Sequence, residues 1–499
     1  MLHGHRPIRR RSWTPACDSI PSLTVSIVTA GYFTCKVEKQ TVELYKTRND
    51  FECKNEKMEV KEMRKKVICM LAGVSLLAVT VSGCGGKGDT PDSGSSEGGK
   101  TLKLLTHYDA AFAEAAKKYE EETGVKVEVE QTAYENIGDT LEVVLSSGSD
   151  EYDLIMADGP NTSAYVNRGY LEPLAGYFTE EEKGEFSPEL LKQGTVGGEF
   201  YAAPLGDSST VLYYNKNLLS EAGIEVDWSQ YTGENRITWE EVTELAREAV
   251  KELDPDGSKG IYGIEIGQVS SVYQMNLLAN SMGGKNISDD GSTVKGVIDS
   301  DEWKDAIAWY QGLVEEGIFS KGVSGLETYN NFYAGKCVFE WMTADSYTFC
   351  LSADMTEDDF GWTYQPCFAG HEDEVATGCG NWALGVSAFS KNKEEAGKFV
   401  NYMTCGEGND IFLSIEGMSP NTAERYTEEL TGKNPVLEIA KYEAENTAYV
   451  RAVTPAFNEY SAALSTMWED IRNGADMDTA LERTVEQIDS ALGEYSESQ

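Results

Sequence analysis

Thr101-Leu102-Lys103-Leu104-Leu105-Thr106, the segment from Asp109 to Thr123, and Val125-Lys126-Val127-Glu128-Val129 together decide the fold class. The first is a short apolar run and the second has the spacing of an amphipathic helix. The third alternates apolar and charged residues with the period of a strand. Glu135 to Ser147 reads as another helix, closed by Gly148, and Tyr152-Asp153-Leu154-Ile155-Met156 as a short buried strand. A β-α-β-α-β order predicts an α/β protein with a mostly parallel sheet and helices on both faces. Ligands of such sheets sit beyond the carboxyl ends of the strands. Those ends carry His107-Tyr108, Tyr134 and Asp158.

Upstream of this body, residues 85–100 (GGKGDTPDSGSSEGGK) contain almost nothing apolar and read as a flexible tether. Before the tether, Met63-Arg64-Lys65-Lys66 leads into an apolar run of 15 residues, Val67 to Val81. That is the length of a signal-peptide core and short of the ~18 residues that span a bilayer. Val81-Ser82-Gly83-Cys84 resembles the bacterial lipobox, although the spacing from Leu77 departs a little from the strict pattern. The implied organisation is a signal peptide over 63–83, a lipidated Cys84, and a linker over 84–100. A diacyl group on Cys84 anchors far better than one acyl chain, and would hold the protein at the outer face of the cytoplasmic membrane. Translation then starts at Met63, with Met58 as the alternative, and residues 1–62 form an upstream extension. A buried apolar helix with a chance cysteine is the competing reading. The composition changes at the same place: residues 1–83 hold 14 basic and 8 acidic residues, and the rest of the chain 28 and 76.

The acidic excess argues against nucleic acid and against electrostatic docking on anionic lipid, both of which need clustered Lys and Arg. From Cys84 onward the cysteines are Cys84 itself and Cys337, Cys350, Cys367, Cys379 and Cys405, with no CxxC pair. An odd remainder of five argues against a full disulfide framework and against zinc, and buried free thiols are the simpler expectation, with one or two bridges as the alternative. His107 and His371 alone follow the tether, so a histidine metal site is not expected. Asp254, Asp256 and Glu265 fall at positions 1, 3 and 12 of a calcium-loop template, but Lys259 stands where glycine is required. An Asp-rich turn is the better reading. The Glu120–Glu122 and Glu180–Glu182 runs read as solvated helix faces.

Tyr201-Ala202-Ala203-Pro204-Leu205, followed by Val211-Leu212-Tyr213-Tyr214-Asn215-Lys216-Asn217-Leu218-Leu219 and Ala222-Gly223-Ile224, resembles the signature of the sugar-binding extracellular solute-binding proteins of ABC importers. Thr238-Trp239-Glu240-Glu241-Val242, Asn331 to Phe339, Gly385 to Asn392, Glu395 to Val400 and the final helices resemble that group's later landmarks in the same order, over about residues 101–495. The resemblance implies a periplasmic-binding-protein-like type II fold: two α/β lobes joined by a hinge that the chain crosses three times, near 204–211, 384–386 and 418–420. One lobe would combine 101–207 with 387–418, the other 212–383 with 419–499. It implies a carbohydrate ligand, ABC permease subunits as partners, a monomer, no cofactor and no catalysis.

Flat aromatics cover the CH faces of a sugar, and carboxylates and amides bond its hydroxyl rim. Trp382, among glycines before a crossing, is a stacking candidate, with core packing as its alternative. The group commonly places a stacking tryptophan near Trp341, but the register puts that position at Asp345, so either could line the cleft. Asp207 and Ser208 lie in the first crossing, where relatives place a polar ligand contact and where a plain hinge turn is the alternative. Tyr108, Tyr134 and Asp158 come from the strand ends. Tyr460 sits near an aromatic contact of the maltose-binding relative, although helix packing suits it better. Trp303 and Trp309 are assigned to the core. Two other readings stand beside the sugar receptor: a receptor for a polyamine or similar cation, which aromatic walls and acids also suit, and a surface glycoside hydrolase, which needs two carboxylates flanking one bond.

Overall fold

The structure, a computed structural model, describes residues 27–28, 32–33 and 100–497 except 270, 323–324 and 381. The expected signal peptide, Cys84 and tether lie outside the described residues. The chain divides into two units, Met1–Gly94 and Ser95–Gln499. In the first, Ile27–Val28 pairs antiparallel with Tyr32–Phe33. The second carries everything below.

Its first sheet has the strand order Lys126–Gln131, Thr101–Thr106, Leu154–Asp158, Trp382–Ser387, Leu171–Glu172, with Ala202–Pro204 also paired to Trp382–Ser387. The first three strands are parallel, as the β-α-β-α-β reading requires, and Trp382–Ser387 enters antiparallel with Trp382 opposite Asp158. The helix Asp109–Thr123 matches its expected span and buries Ala111, Phe112, Ala115, Ala116 and Tyr119. It stops at Gly124, whose φ of 75° is the left-handed cap that glycine adopts without strain. The following strand and helix are displaced by a residue or two: Tyr134–Asn136 forms a 3-10 turn, and the helix runs Ile137–Ser146.

The second sheet has the order Tyr262–Ile266, Cys337–Thr343, Thr210–Asn215, Phe360–Thr363. Thr210–Asn215 is buried along its whole length. Its alternation sends Leu212 and Tyr214 to the core shared with Trp239, Trp303 and Trp468, and Val211 and Tyr213 to the core that continues into the first sheet. Thr238 starts the helix Trp239–Leu253 with a capping box: its hydroxyl accepts from the Glu241 N–H at 3.1 Å, and Glu241 accepts from the Thr238 N–H at 2.9 Å. The terminal helices Phe457–Arg472 and Met477–Glu497 close over this second core.

The chain leaves the first sheet at Pro204 and enters the second at Thr210, where the first crossing was expected. Leu384–Val386 is not a crossing. Those residues are mid-strand in the first sheet, so the return lies just before Trp382, ahead of the boundary expected at 387. The reason is that Ala383, Leu384 and Gly385 pair with Pro204, Ala203 and Ala202, which draws this whole strand into the first sheet. The three connections are tied together. Asp207 N–H donates to the Ser419 carbonyl at 2.7 Å, and its carboxylate accepts the N–H groups of Ser208 and Gly380, both at 2.8 Å. Gly206 is needed here because a Cβ would meet Met418 Sδ at 2.7 Å and the Ser419 carbonyl at 2.8 Å.

The five cysteines from Cys337 onward are all free, four of them buried. Asp254 accepts the N–H groups of Lys259 at 3.0 Å and Ile261 at 3.1 Å, so its carboxylate closes its own turn. Trp303 is fully buried in the second core and Trp309 packs against it.

Candidate functional site

The carboxyl ends of the first sheet converge on an aromatic cluster. His107 follows one strand, Tyr134 opens the turn after its neighbour, and Trp382 begins the antiparallel strand. Ring centroids are 3.9 Å for His107–Tyr108, 4.8 Å for His107–Trp382, 5.3 Å for His107–Tyr134 and 5.9 Å for Tyr134–Trp382. Most of these contacts are edge-on, a geometry that leaves ring faces available to a ligand. Tyr134 is 46% exposed, and His107, Tyr108 and Trp382 are half-buried. Burial pushes the His107 imidazole down to about 4, so it is neutral near pH 7, and its Nδ1 is buried without a hydrogen-bond partner. Tyr108 also packs edge-on against Phe412 at 5.2 Å.

Acids from two other segments lie within electrostatic reach of this wall. Asp345 comes two residues after the strand Cys337–Thr343 and stands at the start of the helix Ser346–Ser352 without making a capping bond. Its Oδ1 is buried with no hydrogen-bond partner, and burial raises its pKa. Burial first, then the charges of Asp345, Glu416, Tyr134 and Asp158, raise the Tyr108 phenol well above its ordinary range. Glu416 is itself raised to about 7, by burial and then by Asp345.

Asp158 does not face the cleft alone. Arg451, which follows the strand Ala448–Val450, reaches it as a two-pronged ion pair, Nη1 to Oδ2 at 2.6 Å and Nη2 to Oδ1 at 2.5 Å. The guanidinium also lies over the Tyr273 ring, 5.2 Å from its centroid. Tyr273 OH is 2.7 Å from Ser208 Oγ, which donates to the Gly380 carbonyl at 3.1 Å.

Of the residues singled out in the sequence, Tyr108, Tyr134 and Trp382 come together around His107, Asp158 pairs opposite Trp382, and the Asp345 charge acts on Tyr108. Four do not contribute a free surface. Trp341 is 0% exposed, donates its indole N–H to Gln365 at 2.6 Å and packs against Trp239, so it is core. Tyr460 is 1% exposed, with its hydroxyl between Asn276 and the Asn286 carbonyl, both at 3.2 Å. Asp207 is buried and bonded to hinge backbone, which is the turn reading, and burial lifts its carboxyl to about 6. Ser208 spends its hydroxyl on Tyr273 and Gly380. Arg451, Tyr273 and Glu416 were missed. None stands in a motif, and only the fold brings their three separate segments to one place. Among the described residues no group of three or more His, Cys, Asp or Glu side chains could hold a metal ion.

The family model of bacterial extracellular solute-binding proteins matches residues 104–405. This chain belongs to that family. Relatives include a maltooligosaccharide ABC transporter solute-binding lipoprotein of Streptococcus pneumoniae, 24% identical, the match covering 86% of this chain and 97% of the relative. A mannitol-binding protein of Pseudomonas aeruginosa is 23% identical over 69% of this chain and 79% of its own. Among solved structures, an ABC substrate-binding protein of Listeria monocytogenes in complex with cycloalternan superposes with a TM-score of 0.69 at 19% identity, covering 79% of this chain and 99% of that one. The fold of this solute-binding protein is therefore the two-lobed type II arrangement. No described helix is long and apolar enough to cross a membrane.

Proposed function

We propose that this solute-binding protein is a non-catalytic extracellular receptor that captures a mono- or oligosaccharide between its lobes and delivers it to an ABC importer. The observation that carries the reading is the aromatic wall of His107, Tyr108, Tyr134 and Trp382 at the strand ends, with the Arg451–Asp158 ion pair beside Trp382. Aromatic faces match sugar CH faces, and a carboxyl such as that of Asp345 matches hydroxyls. The names of the relatives, which include mannitol and maltooligosaccharide receptors, support the ligand class. The polyamine reading is weaker because Arg451 already neutralises Asp158. In this reading the protein acts as a monomer held to the outer face of the membrane by a lipid on Cys84. Metabolic labelling with a radioactive fatty acid tests the anchor: label is expected in the wild type and lost in Cys84→Ser.

Thermal-shift screening against sugars, polyols and polyamines tests the ligand. A sugar at about 100 times its dissociation constant should stabilise the fold by about 2.7 kcal/mol. Stabilisation by polyamines alone, or turnover of a chromogenic glycoside, would overturn the reading.

A further inference from the structure

Arg451 and Asp158 belong to opposite walls. Asp158 ends a strand of the first sheet beside Trp382, and Arg451 follows a strand that pairs in parallel with Thr377–Cys379 and packs with the second core. The Arg451 side chain is 9% exposed and that of Asp158 27%. All four atoms of the fork are matched, which is the strong form of an ion pair. One donor, Arg451 Nε, is buried and unpartnered. From Arg451 a run of contacts leads to the hinge: the cation over Tyr273, Tyr273 OH to Ser208 Oγ, Ser208 to the Gly380 carbonyl, and Gly380 N–H to Asp207, which is bonded to Ser419. Each of the three connections between the sheets, at 207–208, 380 and 419, is touched by this run.

We propose that Arg451 is a positioning residue of the binding cleft, and that its ion pair with Asp158 is a latch that sets the balance between open and closed lobes before any ligand arrives. The physical basis is differential contact. The fork forms only when the two walls approach, so its free energy counts entirely toward the closed state. A ligand that needs the closed state then binds with an affinity scaled by the fraction of molecules already closed. Tyr273 and Ser208 brace the guanidinium from the hinge side, so Arg451 arrives oriented rather than searching. The inference rests on the proposed receptor function for its ligand arm alone; the latch itself is read without ligand.

The test uses Asp158→Asn, Arg451→Gln and the double variant. The double matters because removing one partner leaves the other charge buried and unpaired, which can destabilise the fold for an unrelated reason. Circular dichroism establishes that each variant is folded, and small-angle scattering of ligand-free protein reads the lobe separation. The expected result is a larger radius of gyration in both single variants and in the double, with the double no more open than the singles. Where the screen yields a sugar, calorimetry should show affinity falling at least tenfold in each single variant and no further in the double, the signature of two residues acting as one. Ligand-free scattering of the double variant identical to wild type would overturn the latch, whether or not any sugar binds. Additive losses of affinity in the double would overturn it as well. If no sugar binds but scattering changes as expected, the latch stands and the receptor reading fails.

Discussion

Two buried arginine forks in this protein look alike and do different things. Arg236 grips Glu443 at 2.6 and 2.8 Å, much as Arg451 grips Asp158. Around Arg236–Glu443 the remaining capacity is filled. Glu443 accepts from Gln365 N–H at 2.9 Å and Thr447 Oγ1 at 2.6 Å, and Arg236 donates to the Gln365 carbonyl at 2.8 Å between the rings of Tyr364 and Tyr442. Arg451 keeps an unpartnered Nε, and its acid is partly exposed. The first fork joins segments packed on one sheet and has nothing to release. The second joins the end of a strand of the first sheet to a segment that follows a separate strand pair, Thr377–Cys379 with Ala448–Val450. What a buried ion pair does is therefore decided by what its partners are attached to, and not by its own geometry.

The comparison breaks most visibly at Arg236. Arg236→Met should cost about 3–5 kcal/mol, because Glu443 is left buried with an uncompensated charge. Denaturant unfolding should show this loss, and ligand affinity in the folded fraction should be unchanged. A ligand-affinity loss comparable to that of Arg451→Gln would make both forks part of one device and end the distinction.

A buried carboxylate with no fork at all sharpens the contrast. Glu265 and Glu340 stand side by side on neighbouring parallel strands, both essentially unexposed. Burial, opposed by Ser320 and Asn331, raises Glu265 to about 7, and burial with the Glu265 charge raises Glu340 well above its ordinary value. A folded pKa above the unfolded one means that the native state holds more protons, so stability is full below about 4.5 and declines as pH rises through 7. Glu265→Gln should reduce that decline by an amount on the order of 2 kcal/mol between pH 5 and pH 8, leaving the part that the burial of Glu340 carries. Thermal unfolding at the two pH values checks it, and a wild type equally stable at both would refute it.

The aromatic wall beside the latch carries the next effect. Trp382→Ala should weaken sugar binding at least tenfold, about 1.4 kcal/mol, without opening the ligand-free protein, since the fork does not use the indole. Calorimetry and scattering of the same variant separate the two; unchanged affinity would remove Trp382 from the site.

This division also explains what could be read in the chain. The wall built by the first sheet follows from local pattern: one alternating and two short apolar strands lead to His107, Tyr134 and Asp158, so position along the chain predicts position in the cleft. The opposite wall has no such logic. Arg451 and Tyr273 sit in segments whose neighbours say nothing about a cleft, and Asp345 was visible only through an offset in register. Trp341 misled for the complementary reason, and Tyr460 follows the helix packing that suited it better. Residue type suggested stacking, while full burial and satisfied polar atoms, which a sequence does not display, put both in the core. The crossing expected at 384–386 moved because antiparallel pairing with Ala202–Pro204 is a non-local fact.

The smallest effect is the most specific to the comparison. Raising salt from 0.1 to 1 M shortens the screening length from about 10 Å to about 3 Å. Asp158 is partly exposed and should feel this; Glu443, with a 0% exposed side chain, should not. The latch should then weaken by about 0.2–1 kcal/mol, the range of partly solvated pairs, and sugar affinity should fall by the corresponding factor, while the contribution of Arg236–Glu443 to unfolding stays constant. Titrations at the two salt concentrations on wild type and on the Asp158→Asn, Arg451→Gln double variant isolate the pair. Equal salt dependence in both proteins would show that screening acts elsewhere on this strongly acidic surface, and that the fork between the lobes is as sealed as the one inside.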